Sequence, residues 1–135
     1  MVLFFLCIIP FITNATISEM SFGKWNIKFD DETKRAEFVK EGVTVLKDVK
    51  IKFKNGDVLL DASSYNSVKI KQEDIVDEVG KARKFTIEYT GSENSDNPIV
   101  YQNFYLYDGQ DYFLTDVILQ SPDNSIISSN YIAPI

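Results

Sequence analysis

Apolar and polar positions alternate with a period of two over most of the chain after Met20. Trp25, Ile27 and Phe29 interleave with Lys24, Asn26 and Lys28. Val49, Ile51 and Phe53 interleave with Lys50, Lys52 and Lys54, and Phe85, Ile87 and Tyr89 with Lys84, Thr86 and Glu88. Successive side chains of a β-strand point to opposite faces, so this alternation predicts strands with one face buried and one face wet. Further strands are expected at residues 36–40, 58–60, 68–70, 99–106, 112–119 and 125–135, whereas residues 74–79 are less regular. Asn55-Gly56 sits between two apolar runs and predicts a hairpin, because tight two-residue turns need positive φ. Asp108-Gly109 predicts a second hairpin. Residues 91–98, GSENSDNP, form a polar loop, and no window holds a helical period over three turns. About nine short strands at regular spacing predict an all-β fold, an antiparallel β-sandwich with Trp25, Phe53, Phe85, Ile87 and Phe104 inside.

The first fifteen residues, MVLFFLCIIPFITNA, carry no charge. The apolar run 2–12 is too short to span a bilayer and has the length of a signal-peptide core, with Thr13 and Ala15 as small residues before a cut. A basic residue after Met1 is missing. The expected organisation is a signal peptide over residues 1–15 and a β-sandwich domain over 16–135, with export to the periplasm or the cell exterior and no membrane association after cleavage.

Charge and composition narrow the chemistry. The formal charge is −6, which argues against a nucleic-acid partner, since that affinity rests on clustered Lys and Arg. There is no His, and Cys7 is the single Cys, so the usual general base and the usual zinc sets are missing. No G-x-S-x-G, P-loop or dinucleotide fingerprint occurs. No catalytic, metal or cofactor site is expected. Lys50, Lys52 and Lys54 on one strand face read as protection of a sheet edge.

Two clusters remain. Tyr101, Phe104, Tyr105, Tyr107, Tyr112 and Phe113 fall within one predicted hairpin. Exposed rings stack on the C–H faces of sugars, which makes Tyr101, Tyr105, Tyr107 and Tyr112 the carbohydrate-contact candidates. Tyrosine also fills sheet faces with its hydroxyl at the rim. Tyr101, Tyr105 and Tyr107 share one parity, and Phe104 and Leu106 the other, which fits a strand inside a sandwich. Glu73, Asp74, Asp77, Glu78, Asp108, Asp111 and Asp116 are the acid–base candidates, but glycoside cleavage needs two carboxyls at a defined separation, which strand spacing does not fix. Asp57, Asp61 and Asp77 lack the twelve-residue calcium-loop pattern.

The C-terminal residues carry a family likeness. Gln102, Phe104 and Tyr107, then Tyr112 and Phe113, then Ile127, Ser128, Ser129, Asn130, Tyr131 and Pro134 form a pattern of two strands and a Ser-Ser-Asn-Tyr segment. Together with Gly23-Lys24-Trp25 and Asp77-x-x-Gly80-Lys81, it resembles the N-terminal β-sandwich of bacterial α-galactosidase-like glycoside hydrolases, the melibiase group of family 36. The resemblance implies a supersandwich-like domain, incomplete here, that packs on a catalytic (β/α)₈ barrel carrying the reactive carboxylates; none of these maps onto this chain. A free-standing carbohydrate-binding module for neutral sugars, or a surface interaction module, is the alternative. Residues 126–135 are apolar and uncharged, and as an unpaired edge they are expected to promote self-association.

Expressed in a bacterium with a C-terminal tag, the chain is expected to leave the cytoplasm and to begin at Thr16. An intact mass that still includes residues 2–11 would refute the signal-peptide reading.

Overall fold

The computed structural model describes residues 16–134; the expected signal peptide lies outside the described residues. Four strands, β1 (Ile17–Phe22), β2 (Trp25–Asp30), β3 (Arg35–Lys40) and β4 (Val43–Val49), follow one another as an antiparallel meander. A hairpin of β5 (Lys52–Asn55) and β6 (Val58–Asp61) comes next, closed by a single 3-10 turn, Ala62–Ser64, which Asp61 caps. A second four-stranded meander follows, β7 (Tyr65–Val76), β8 (Lys81–Ser92), β9 (Ile99–Tyr107) and β10 (Phe113–Gln120). The chain then returns to β5 through β11 (Ile132–Ala133), giving a small sheet in the order β11-β5-β6.

The two four-stranded sheets pack face to face as an all-β sandwich. The alternation seen in the sequence places Trp25, Ile27 and Phe29 of β2, Phe38 of β3, Phe85, Ile87 and Tyr89 of β8, and Val100, Phe104 and Leu106 of β9 in one apolar cluster. Phe53 and Leu60 of the small sheet join it. All five residues expected inside are buried. Rings join the layers: Phe38 lies stacked on Phe113 at 4.6 Å and edge-on to Phe104 at 5.0 Å, and Trp25 meets Phe113 edge-on at 5.2 Å. Such aromatic pairs contribute beyond the area they bury.

Sequence and structure differ in four places. Eleven strands are present among the described residues rather than about nine. One extra strand is β4, whose Val43 and Val45 point to solvent and whose pairing with β3 is broken by register shifts around Phe38. Another is β1, where Met20 alone is fully buried among polar neighbours. The expected last strand, 125–135, shrinks to Ile132–Ala133; Ile126 is 96% exposed, and Ile135 lies outside the described residues. The Asn55-Gly56 hairpin forms with Asn55 opposite Val58, so its loop residues are Gly56 and Asp57. Positive φ occurs at Gly56 (60°) and not at Asp57, the II′ pattern. The turn with positive φ at both loop residues joins β3 to β4, at Glu41 (49°) and Gly42 (81°).

The fourth difference concerns β5. Its lysines do not guard a free edge, because β5 is the central strand of its sheet. The Lys54 amide donates to the Tyr131 carbonyl at 3.0 Å and the Gly56 amide to the Ser128 carbonyl at 2.8 Å. The C-terminal segment is therefore a strap laid along β5.

Replacing Phe38 by Ala is expected to lower the unfolding free energy by about 3–5 kcal/mol, the range for removing a fully buried aromatic ring. Urea denaturation checks it.

Candidate functional site

The tyrosine hairpin lies on β9, β10 and their loop. Val100, Gln102, Phe104 and Leu106 face the core, so Tyr101, Asn103, Tyr105 and Tyr107 face outward. Cross-strand register sets their neighbours. Tyr105 stands between Lys84 of β8 and Leu114 of β10, Asn103 between Thr86 and Asp116, and Tyr101 between Glu88 and Ile118.

The outward face is bound together by hydrogen bonds. Thr86 Oγ1 donates to Asn103 Oδ1 at 2.7 Å, and Asn103 Nδ2 to Asp116 Oδ1 at 2.6 Å. The Tyr105 hydroxyl donates to Asp116 Oδ2, also at 2.6 Å. Lys84 lies 5.8 Å from the centre of the Tyr105 ring and 3.5 Å from Glu73. Burial, and then the bond to Asp116, raise the Tyr105 phenol well above its ordinary range. Leu114 and Ile118 are exposed beside this network.

The four carbohydrate candidates thus fall into different environments. Tyr107 is 3% exposed, and its hydroxyl donates to Asp77 Oδ2 at 2.6 Å. That bond, with burial second, pushes its phenol up to about 12. Tyr101 and Tyr105 are half-buried. Tyr112, in the β9–β10 loop, is 46% exposed and tilts against Tyr107 at 6.4 Å. Tyr107 presents no free ring, and the four do not form one open aromatic platform.

The carboxylate candidates are tied into the scaffold. Asp111 bridges Lys24 at 2.9 Å and Lys40 at 3.0 Å, joining the β1–β2 turn to the β9–β10 loop, and these two ammonium groups hold its carboxyl below the usual range. The same bond raises Lys24. Asp74 forms a forked pair with Arg83, whose bonds to its oxygens lower the carboxyl and raise the guanidinium. Asp77 is lowered first by the Tyr107 hydroxyl and then, against some burial, by the amides of Val79 and Gly80. Burial pushes Asp61 up, but its bonds to Lys50 and the Ser63 amide outweigh this and leave it lowered. Sequence reasoning could not find these ties, since Lys24 and Asp111 are 87 residues apart. Among the described residues no group of three or more metal-ligating side chains converges, and no helix is long and apolar enough to cross a membrane.

A second polar feature lies where the first meander borders the small sheet. Arg35, Asp48, Lys50, Lys52, Asp61, Tyr131 and Ala133 line an open cleft of about 520 Å³. The chain matches no family model, no curated protein and no solved structure.

The lowered carboxyls fix the sign of the acid response. Their stabilisation is complete above the unfolded value of about 3.9 and is lost as pH falls through their lower native values. The raised tyrosines act in the opposite sense: their stabilisation is present below about 10 and lost as pH rises through the native values, about 12 for Tyr107. Thermal midpoints are therefore expected to hold from about pH 5 to 9 and to fall on both sides. Asp111→Asn should flatten the acid limb, and Tyr107→Phe the alkaline one.

Proposed function

We propose that the chain is the non-catalytic β-sandwich portion of an α-galactosidase-like glycoside hydrolase, packing on and supporting a catalytic barrel. The observation that carries this reading is the fate of the carboxylates. Asp74, Asp77, Asp111 and Asp116 each hold a scaffold partner, and the first three have pKa values displaced downward, the wrong direction for a general acid. The outward face of β8, β9 and β10 is suited to a partner domain. Its polar groups are fixed in one arrangement before contact, and Leu114 and Ile118 supply apolar centres between them, as in interfaces between domains of one chain.

The alternative, a free-standing carbohydrate-binding or surface interaction module, draws its support from the exposed ring of Tyr112. Buried Tyr107 and the tethered hydroxyl of Tyr105 favour the supporting role over an open sugar platform.

The purified chain is expected not to hydrolyse chromogenic α- or β-glycosides, and to bind a separately produced catalytic barrel of the α-galactosidase-like group. Ile118→Asp should abolish that binding while leaving the fold intact. Turnover that disappears with Asp111→Asn or Asp116→Asn would make the chain an enzyme. Retention on neutral polysaccharide that disappears with Tyr112→Ala, with no barrel binding, would establish the free-standing module.

A further inference from the structure

The cleft between the first meander and the small sheet is built from three separate parts of the chain. Arg35 opens β3, and Asp48 sits at the irregular end of β4 with φ of 58°. Lys50 lies in the crossover to β5, and Lys52 is on β5, opposite Asp61 of β6 on one side and Ala133 of β11 on the other. Tyr131 comes from the C-terminal strap, which places its ring at the rim, 45% exposed.

The charges in the cleft do not cancel. Arg35 pairs with Asp48 at 3.0 Å and Lys50 with Asp61 at 3.0 Å. Asp61 is engaged further by the Ser63 amide at 2.7 Å. Lys52 forms no ion pair among the described residues, so three cations face two carboxylates in a protein whose formal charge is −6. Salt confines the field of the remaining acidic groups to roughly 8–10 Å, which leaves the local excess of positive charge in place. The Arg35–Asp48 pair is solvent-exposed on both sides, and exposed pairs contribute little, so the planar guanidinium can turn to an incoming anion. Ala133 carries only a methyl group beside Lys52, which keeps the floor open.

A flat exposed ring next to an unpaired ammonium and an exchangeable guanidinium is the chemistry that recognises an acidic sugar. We infer that this cleft binds an anionic glycan unit, its carboxylate or sulfate held by Lys52 and Arg35 and its ring laid on Tyr131. The site lies where the first meander borders the small sheet, not on the face of β8, β9 and β10 assigned to a partner domain. The two readings therefore stand or fall separately.

The site has a structural precondition. Tyr131 reaches the cleft only because the strap is docked on β5, and the strap is anchored at its end by Gln102, whose side-chain amide donates to the Pro134 carbonyl. Lys50, Lys52 and Lys54 are therefore read as part of a strap-completed sheet face instead of an edge guard.

Calorimetric titration of the full chain with trigalacturonate, a sulfated galactose trisaccharide and neutral trigalactose tests the inference. At least one anionic probe is expected to bind, more weakly as salt is raised, with trigalactose much weaker. Binding of trigalacturonate alone identifies the carboxylate as the ligand group, and binding of the sulfated probe alone the sulfate. Lys52→Gln and Tyr131→Ala should each weaken binding by about tenfold or more, the scale of one charge-assisted hydrogen bond or one stacked ring. Lys71→Gln, on the other sheet, should leave it unchanged. Circular dichroism and amide chemical shifts verify that each variant stays folded, and shift changes on titration should centre on Lys52, Ala133 and Tyr131. Equal affinity for trigalactose, binding indifferent to Lys52→Gln and Tyr131→Ala in folded protein, or no binding of either anionic probe would overturn it.

Discussion

Phe38 on β3 stacks on Phe113 of β10 and meets Phe104 of β9 edge-on, and through these contacts one sheet meets the other. Each meander forms its own backbone ladder, so side-chain packing across the middle must align the two layers. Trp25 reinforces the contact, lying edge-on to Phe113 while its Nε1 donates to the Gln110 carbonyl at 3.3 Å. Because strand side chains alternate, turning Phe104 inward also turns Tyr101, Asn103 and Tyr105 outward. A one-residue slip of β9 would bury the polar network and expose the rings. The apolar contact thus decides which chemistry the molecule shows to solvent.

Two polar side chains are buried among the described residues, Gln102 and Asn103, and the one that faces the core, Gln102, reaches the far end of the chain. Gln102 is buried with the core-facing residues of β9. Its side-chain oxygen accepts from the Tyr89 hydroxyl at 3.0 Å, and its nitrogen donates to the Pro134 carbonyl. A buried amide is tolerable only with both ends satisfied, so the presence of Gln102 commits the strap to this position. Replacing the docked carbonyl by nothing would leave a buried donor open, at about 1–3 kcal/mol. This amide acts together with the short β11–β5 pairing and the Lys54 and Gly56 amides, which donate to the Tyr131 and Ser128 carbonyls, to hold the strap.

Much of the fold was legible in the sequence because burial follows parity. The alternations around Trp25, Phe85 and Phe104 gave strand positions and facing correctly, and the shared parity of Tyr101, Tyr105 and Tyr107 set them on one face of β9. The alternation over 49–54 gave the facing of Val49, Ile51 and Phe53 but not the strand, which is divided between the end of β4, a crossover at Lys50 and Ile51, and β5. β4 was illegible for a physical reason: Val43 and Val45 are exposed and the pairing with β3 is irregular, so only Leu46 and Val49 at its far end report the core. The C-terminal segment misled in the opposite way. Its apolar run reads as one long strand, yet pairing is limited to two residues and the anchor is a polar bond to Gln102. The candidate sites were legible as residue types and illegible as geometry. Tyr107 and Asp77, or Lys24 and Asp111, meet only after the hairpins bring distant turns to the same end of the sandwich.

The two surfaces differ in how their polar groups are held, and this difference separates the kinds of partner they suit. On the face of β8, β9 and β10, Thr86, Asn103, Asp116 and Tyr105 form a continuous chain of hydrogen bonds. A group already bonded at both ends gains little from a new polar ligand and would have to break a bond to take one. Such a face offers shape and apolar contact, from Leu114 and Ile118, at little entropic cost, because its side chains are ordered before the partner arrives. In the cleft the situation is reversed. Lys52 has no ion-pair partner among the described residues, and Arg35 is held by one exposed pair that solvent already weakens. There an anion exchanges water and a weak pair for direct bonds. Preorganisation favours a rigid protein surface in the first case, and unspent charge favours a small charged ligand in the second.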